Sequence, residues 1–495
     1  MITITRSLVK QLRAVFRRAG IGYRPRFGAG VPIKFLAGAD GLRIQARSHE
    51  VAIEYHQPGE YTAETLTVPF EFLAECEGAR DDSVTLALQR DNHIEVCWSD
   101  HGLPQAKRFA DCSGDISGVS PSPPESWTPA DQSLLDALRE AMETTAKEDS
   151  RRGLDCVQLR GATGQIMATD ASQLLIQDGF QFPWPGDVLI SNSRLFGSPE
   201  LARHAPIELG KTDQHLVFRI GAWTLSLVIR TDVRFPNVEH VIPAVENTAT
   251  RFRIAADDGQ VLADVLDRLP ASDEDGSPIT VDCNGHVAIR AKAADHPQVT
   301  ELVLSRAELA GQPIRFNTDR RFLQRAIALG FREVHITDST TPLLCHDARR
   351  KYVWQAMTPE GALLPSDDCV RIELPVSQPS TQNHKSPRPH THTNRINRMS
   401  HNNHTRTNRV AQATATATPT ELAASNANGH DTGHESEPVS VATNPESELL
   451  ALRESLRSAL THTSRLVAAL RQQRKQHRLV QSTLASLKQL QSAAS

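Results

Sequence analysis

Three clusters of arginine and lysine could bind phosphate groups. They comprise Arg13, Arg17, Arg18, Arg24 and Arg26; Lys147, Arg151 and Arg152; and Arg320, Arg321 and Arg325. Guanidinium and ammonium groups contact phosphate oxygens without reading a base sequence, so such clusters suit a protein that binds nucleic acid of any sequence. Charged side chains on a helix are more often only a solvated face. The fold that carries these clusters therefore decides between the two interpretations.

No group of residues in the sequence predicts catalysis or a cofactor. The acidic pairs Asp81-Asp82 and Asp367-Asp368 are typical of turns, and no glycine-rich phosphate loop is present. The histidines between 384 and 404 could hold a metal loosely, although solvated polar filler is the more common role. The seven cysteines are scattered and form no CxxC pair, which predicts reduced, buried thiols. We therefore expect a protein that is not an enzyme and has no cofactor or metal.

Charge is distributed unevenly along the 495 residues, a length that allows two to four domains. The net charge is −4, made up of −11 in residues 1–375 (40 basic, 51 acidic), +2 in 376–442 (6 and 4) and +5 in 443–495 (8 and 3). An acidic body can still gather positive charge on one surface. No apolar run is long enough for a membrane span, and the start reads as a strand, so we expect a cytoplasmic protein.

The first 375 residues repeat one pattern six times: a short strand, an amphipathic helix and three alternating strands. The period of 3.6 is visible in Leu8, Leu12, Val15 and Phe16, which share a helix face. The six predicted helices are Leu8–Phe16, Glu71–Cys76, Asp131–Thr145, Ser193–Ala202, Val261–Leu269 and Asp319–Leu329. Such a repeat predicts an α+β fold of paired βαβββ units in three domains, residues 1–120, 121–247 and 248–375.

Several short motifs follow one another on this repeat. They are Met167-Ala168-Thr169-Asp170 with Leu174, Arg234-Phe235-Pro236, Val241-Ile242-Pro243, and Tyr352-Val353 with Met357. In this order and spacing, residues 1–358 resemble the bacterial DNA sliding clamp, the beta subunit of DNA polymerase III. The resemblance implies a head-to-tail homodimer in which each chain forms half of a toroidal ring. It also implies a processivity factor that encircles duplex DNA, tethers DNA polymerase and performs no chemistry itself. Such a ring would bury the sheet edges that three domains leave open.

The resemblance also implies a DNA-binding surface on the inward helices. Arg24 matches a family position that touches DNA, and the basic residues after the third predicted helix lie where the family contacts DNA as well. The predicted DNA-binding residues are Arg13, Arg17, Arg24, Lys147, Arg151, Arg152, Arg320, Arg321 and Arg325. The acidic segment Ser272-Asp273-Glu274-Asp275 lies near the expected DNA side and counts against this surface.

A second implied site is an apolar pocket for a short peptide from polymerases and the clamp loader. The residues that match it are Leu154, Thr169, Leu174, Pro236, His240, Val241, Val353, Trp354 and Met357. The chain departs from the family here: Ala171-Ser172-Gln173 replaces Gly-His-Arg, His240 an Arg, Gln355-Ala356 a Met-Pro, and Trp354 a small aliphatic residue. These departures predict an altered or closed pocket, and plain core is the alternative role.

The sequence changes character after the clamp-like part. Residues 376–442 are rich in Asn, Thr, Ser, Pro and His, which predicts a disordered basic linker. Asn444-Pro445-Glu446 is a typical helix start, and residues 443–495 carry apolar heptad positions from Leu449 to Leu487. We expect a coiled-coil helix or an amphipathic helix that folds back on the body.

Two other functions stay open at this stage. A specialised clamp paralogue in DNA repair or chromosome organisation would explain the altered pocket. A coiled-coil scaffold that binds only protein would explain the C-terminal segment and would not be retained on DNA. The sequence does not decide whether the protein is a main replicative clamp.

Overall fold

The computed structural model describes residues 1–22, 31–112, 121–147, 153–201, 205–271, 277–293, 296 and 298–374. These residues belong to one compact unit of the chain, Met1–Lys385. Four sets of predictions lie outside the described residues. They concern Arg24 and Arg26, Arg151 and Arg152, the acidic segment 272–275, and the linker and helix of 376–495.

The first pair of units is built as the repeat predicts. The first unit comprises β1 (Ile2–Thr5), α1 (Arg6–Arg18), β2 (Pro32–Gly38), β3 (Gly41–Arg47) and β4 (Val51–Gln57). The second comprises β5 (Glu64–Pro69), α2 (Glu71–Cys76), β6 (Ser83–Leu88), β7 (His93–Asp100) and β8 (Leu103–Ala110).

The second pair follows the same order with one change. Its elements are β9 (Thr128–Ala130), α3 (Gln132–Met142), β10 (Cys156–Arg160), β11 (Gln165–Thr169), β12 (Gln173–Gln177), β13 (Asp187–Ser191), β14 (Ile207–Lys211), β15 (His215–Ile220) and β16 (Trp223–Val228). The helix predicted over Ser193–Ala202 is wrong, because only a short 3-10 helix, Arg194–Gly197, forms there. Pro199 cannot donate a helical hydrogen bond and keeps Ser198 extended, so the helix ends after one turn.

The third pair has two additional strands. Its elements are β17 (Thr250–Arg253), α4 (Ala256–Arg268), β18 (Pro278–Cys283), β19 (Val287–Ala291), β20 (Val299–Leu304), β21 (Glu308–Gly311), β22 (Ile314–Asp319), α5 (Arg320–Ala328), β23 (Glu333–Ile336), β24 (Leu343–His346), β25 (Arg350–Trp354) and β26 (Cys369–Glu373). Strand β21 pairs with β17, and β26 follows the complete sixth unit.

Three of the five α-helices of the described residues, α1, α3 and α5, begin at residues whose side chains cap them. The hydroxyl of Thr5 accepts from the Leu8 amide at 3.2 Å, and the carboxylate of Asp131 accepts from the Ser133 amide at 3.0 Å. Asp319 caps α5 in the same way. Such caps satisfy amides that the first helical turn leaves without partners. Each helix then buries its apolar face against the sheets, as Leu12, Val15 and Phe16 do in α1.

Within each pair the two units exchange their first strands. Strand β1 pairs with β6 and β5 with β2; the same exchange joins β9 to β14, β13 to β10, β17 to β23 and β22 to β18. Each pair of units is thus interlocked, because neither of its units completes a sheet alone.

Neighbouring pairs are joined at sheet edges by equivalent strands. The last strand of the first unit, β4, pairs antiparallel with β16, the last strand of the fourth unit. The last strand of the third unit, β12, pairs in the same way with β25, the last strand of the sixth. The junctions produce continuous sheets of eight and nine strands, while sheets of four and five strands lie at the two ends.

The cysteines are free thiols, as the sequence predicts. All seven cysteines are free, and Cys76, Cys156, Cys283 and Cys345 are buried. Burial raises the pKa of Cys76 to about 12, so this thiol stays protonated at neutral pH.

In the described part of the chain, no helix has the length and apolar character needed to cross a membrane.

The five-stranded sheet contains a buried network of charges. The Arg290 guanidinium, 3% exposed, donates to Asp282 Oδ2 and Glu301 Oε2, each at 2.6 Å. Arg315 adds a bond to Asp282 at 2.8 Å, and Arg371 contacts Glu301 at 2.8 Å. Burial alone would raise the pKa of Glu301, but the hydrogen bonds from Arg290 and Arg371 lower it, so the carboxylate remains charged.

Replacing Arg290 should destabilise this sheet strongly. Arg290→Met leaves two buried carboxylates short of a partner, and we expect the free energy of unfolding to fall by about 3–5 kcal/mol. The control Arg43→Met removes a half-exposed pair with Glu54 and should cost at most about 1 kcal/mol. Urea unfolding of both variants measures the difference, and equal losses would contradict the importance of the buried network.

Candidate functional site

The helices form one continuous layer. Helix α2 packs on α1, and Arg18 of α1 donates to the Gly197 carbonyl, in the 3-10 helix, at 2.6 Å. That 3-10 helix packs on α3, and α4 packs on α5. Arg325 of α5 donates to Glu143 Oε2 at 2.7 Å and to the Glu140 carbonyl, both in the α3 region, at 2.9 Å. The layer therefore runs through all three pairs of units.

Several predicted DNA-binding residues lie in or beside this layer. Arg17 is exposed in the last turn of α1, and Lys147 is exposed five residues after α3. Arg13 forms an ion pair with Glu77, and Arg321 is 67% exposed with its Nε 2.9 Å from Asp319 Oδ2. Among the described cations of the predicted set, Arg17, Lys147 and Arg321 are thus exposed, and Arg321 is paired with Asp319.

The prediction that Arg320 binds DNA is wrong. The side chain is buried, with 3% exposed. Its guanidinium donates to the carbonyls of Leu266, Leu269, Pro270 and Ser277, with Nη1 3.2 Å from Leu266 O and Nε 3.1 Å from Ser277 O. Burial lowers its pKa from the usual value. Arg320 therefore completes the carbonyl end of α4 and the start of β18, and no phosphate can reach it.

Arg325 has a structural role that the sequence prediction missed. Besides its two bonds across the junction, its side chain is only 22% exposed. Arg350 lies nearby, with Nη1 3.6 Å from Glu140 Oε2 and its guanidinium stacked on Phe331. Burial raises the pKa of Glu140, although the nearby arginines oppose the shift. These contacts tie the second pair of units to the third.

The second junction carries the floor of the predicted peptide pocket. Register places Leu174 of β12 opposite Val353 of β25, and Thr169 of β11 opposite Leu174. Leu174 and Val353 are each 3% exposed. They belong to one buried cluster, whose members are Met167, Leu174, Ile176, Phe235, Val238, Leu344 and Val353. The structure therefore brings three of the predicted residues together on an apolar floor at the junction.

Other predicted pocket residues are partly or largely exposed. Leu154, Pro236 and Met357 are half-buried, whereas His240 is exposed and Val241 is 37% exposed. Ile242, next to Val241, packs on the buried cluster. The segment after Phe235 thus offers apolar surface beside the floor. Phe235 and Val238, absent from the predicted site, belong to the cluster and could have been inferred, since Phe235 is part of the first proline motif and Val238 lies between the two.

The assignment of Trp354 to the pocket is wrong. Successive residues of a strand point to opposite faces, so Trp354 faces away from the side that Val353 occupies. Trp354 is 1% exposed, packs in the large core of the third pair and donates from Nε1 to Thr318 Oγ1 at 2.9 Å. Its bulk therefore fills the core and does not close the pocket.

The turn between β11 and β12 shows how the departures from the family pattern are accommodated. The Asp170 carboxylate accepts from the amides of Ser172 and Gln173, at 2.8 and 2.9 Å. Gln173 in turn accepts from the Tyr352 hydroxyl at 2.7 Å, across the junction. Ala171 adopts φ +76°, a region that favours glycine. The replacement of glycine by Ala171 therefore strains the turn while its hydrogen bonds are kept.

Glycine at this turn should stabilise the protein. An alanine in the left-handed region costs about 1–2 kcal/mol, which glycine would not incur. Glycine also makes the unfolded chain more flexible, which lowers stability by about 0.4–1 kcal/mol. Ala171→Gly should therefore raise the free energy of unfolding by about 0.5–1 kcal/mol in urea melts. The control Ala168→Gly, in buried strand β11, should lower it. A decrease on Ala171→Gly would contradict the strained turn.

The fold matches that of known clamps. A DnaN sliding clamp (DNA polymerase III subunit beta) from Pseudomonas aeruginosa, bound to griselimycin, superposes with a TM-score of 0.60 at 19% identity. The match covers 72% of this chain and 99% of that one. A DNA polymerase sliding clamp from Bacillus subtilis gives 0.61 at 14% identity, with 72% and 98% covered. The beta sliding clamp of C. crescentus gives 0.60 at 19%, again with 72% and 98% covered.

Sequence comparison alone finds no counterpart, since no protein-family model and no curated protein matches the chain. The similarity is therefore one of structure, and it extends over nearly the whole length of the clamps compared. The predicted α+β architecture of paired βαβββ units is confirmed. The described part of this chain has the fold of the bacterial DNA polymerase III beta sliding clamps.

Proposed function

We propose that the protein is a divergent DNA sliding clamp, in which two copies close a ring around duplex DNA and tether a DNA-processing enzyme such as polymerase. It acts by topology and performs no chemistry of its own. The observation that carries this proposal is the rule by which the units are joined. At each of two junctions, the last strand of an odd-numbered unit pairs with the last strand of an even-numbered unit.

The rule implies a third junction. The strands that remain are β20, the last of the fifth unit, and β8, the last of the second. They lie at opposite ends of the series of sheets, so within this rule each finds its partner in another copy. Such contacts run head to tail, and they close when the rotation between copies permits. The number of two copies is taken from the clamp family.

The helical layer supports duplex DNA as the encircled ligand. Exposed Arg17 and Lys147 lie on or beside it in different pairs of units. Backbone phosphate contacts of this kind are independent of sequence, which is what a sliding ring requires. The basic residues at 24, 151 and 152 remain part of the proposed surface.

Charge reversal on this layer should weaken duplex binding. We expect the double variant Arg17→Glu/Lys147→Glu to reduce affinity for a labelled duplex by about tenfold or more at low salt, with a smaller salt slope. The control Arg43→Glu, compared with each single variant Arg17→Glu and Lys147→Glu, reverses one exposed cation on β3, whose neighbours Leu42 and Ile44 face the core. Fluorescence anisotropy measures all of these variants. Equal losses in the control and the single variants, or no loss in the double variant, would remove the helical layer as the DNA surface.

Enzyme tethering is proposed at the second junction, where the floor of Leu174 and Val353 meets half-exposed Val241. The altered turn at Ala171–Gln173 and exposed His240 favour the second candidate, a specialised paralogue in repair or chromosome organisation.

Binding of a labelled clamp-binding peptide from a bacterial polymerase decides between polymerase tethering and the paralogue. Micromolar binding that is lost on Val241→Asp supports polymerase tethering. No binding, together with normal duplex affinity, supports the paralogue.

A further inference from the structure

Strand β26 occupies the edge that the third junction needs. Cys369–Glu373 runs beside β20 in register, with Val299 opposite Cys369 and Val303 opposite Glu373. Among the strand pairs of the described residues, this one is parallel while the others are antiparallel. Strand β20 corresponds to β4 and β12, which pair with β16 and β25 at the two junctions. A strand edge has one row of amides and carbonyls, so β26 and a strand from another copy exclude each other there.

The docked strand pairs with β20 over five residues but buries few of its own side chains. Val370 and Ile372 are 44% and 39% exposed, and only Leu374, just beyond the strand, is buried. The ion pair joins Arg371, with its side chain 61% exposed, to Glu301, whose side chain is 2% exposed. Gln298 also donates to Asp368, just before the strand, at 3.2 Å. Because Arg371 lies mostly in solvent, losing it costs less than losing a fully buried partner would, and Val370 and Ile372 lose little apolar contact on leaving.

Glu301 would not be stranded if β26 left. Its other oxygen accepts from the Arg290 Nε at 2.6 Å, and Arg290 is also held by Asp282. The network beneath the strand therefore stays paired, and undocking leaves no uncompensated buried charge. The β20 edge can be exposed without disrupting its own sheet.

Strand β8 has the character of a competing partner. It is the edge strand of the four-stranded sheet, and seven of its eight residues are exposed, Phe109 being the exception. Leu103 is 66% exposed, as expected of a surface that another chain covers. Lys107 and Arg108, which pair with Glu75 and with Asp91 and Glu95 in this structure, carry the same sign of charge that Arg371 presents to Glu301. The open edge of β8 and its positive charge are therefore compatible with pairing to β20 beside Glu301.

We propose that β26 is a displaceable strand that occupies the β20 edge and competes with β8 of a second copy, so that the ring closes only when β26 leaves. This inference rests on the proposed clamp function. It adds that the third junction can form only after β26 has left β20. The clamp-like part is followed by a segment of this same chain that protects an otherwise open edge. Such protection also prevents indiscriminate pairing of β20 with other strands.

Hydrogen exchange of β8 amides in the full-length chain tests the proposal. Two variants release β26: Val370→Pro/Arg371→Pro removes strand amides, and Arg371→Glu places a like charge beside Glu301 without proline. The control Val370→Thr/Arg371→Lys keeps both strand propensity and cation. Pairing with β20 slows the outward β8 amides, whereas association through residues 443–495 leaves them fast. Slow exchange in β18 and β19 verifies that the variants are folded.

The proposal expects fast exchange in β8 of the wild type and the control. In both release variants it expects exchange to slow by about tenfold or more, increasingly so at higher protein concentration. Slow exchange in wild-type β8 that Ala106→Pro abolishes would mean that the ring closes with β26 in place; this overturns the inference and leaves the clamp function standing. Fast exchange in every protein at every concentration would overturn the inference and the proposed ring together.

Discussion

The structure depends on the pairing of sheet edges. A strand at an edge has a row of amides and carbonyls without partners, and stable proteins cover, pair or blunt such rows. Here β4 pairs with β16 and β12 with β25, which turns three interlocked pairs of units into continuous sheets. The same rule leaves β8 and β20 at the ends of the series. Closure with another copy and capping by β26 are two solutions to one problem, and the structure contains the second.

The junctions also arrange the charges. Because edge pairing places neighbouring units side by side, the helices join into one layer, and Arg18 and Arg325 bond across its boundaries. Some arginines hold the layer together, and others, such as Arg17, face solvent. A body with net charge −11 over residues 1–375 can thus present cations on one layer, the surface proposed for DNA, although it is acidic as a whole.

Much of the fold could be predicted because its signals are local. Helix period and alternating strands specify the units, and the motif order points to the family. The misses involve non-local contacts. Arg320 resembles any helical cation until four backbone carbonyls surround it. Trp354 lies beside Val353 in sequence but on the opposite face of β25. Strand β26 alternates in Val370-Arg371-Ile372-Glu373, a weak signal whose partner is some 70 residues away.

The most direct test of the central claim is topological. Cysteines can be introduced in β8 and β20 of a variant with β26 released, the protein assembled on nicked circular DNA, and the two strands cross-linked only after assembly. The account predicts covalently closed head-to-tail rings that stay on the circle through high-salt gel filtration and slide off once the DNA is linearised. Equal loss from circular and linear DNA, or cross-links confined to open chains of copies, would contradict closure through these two strands.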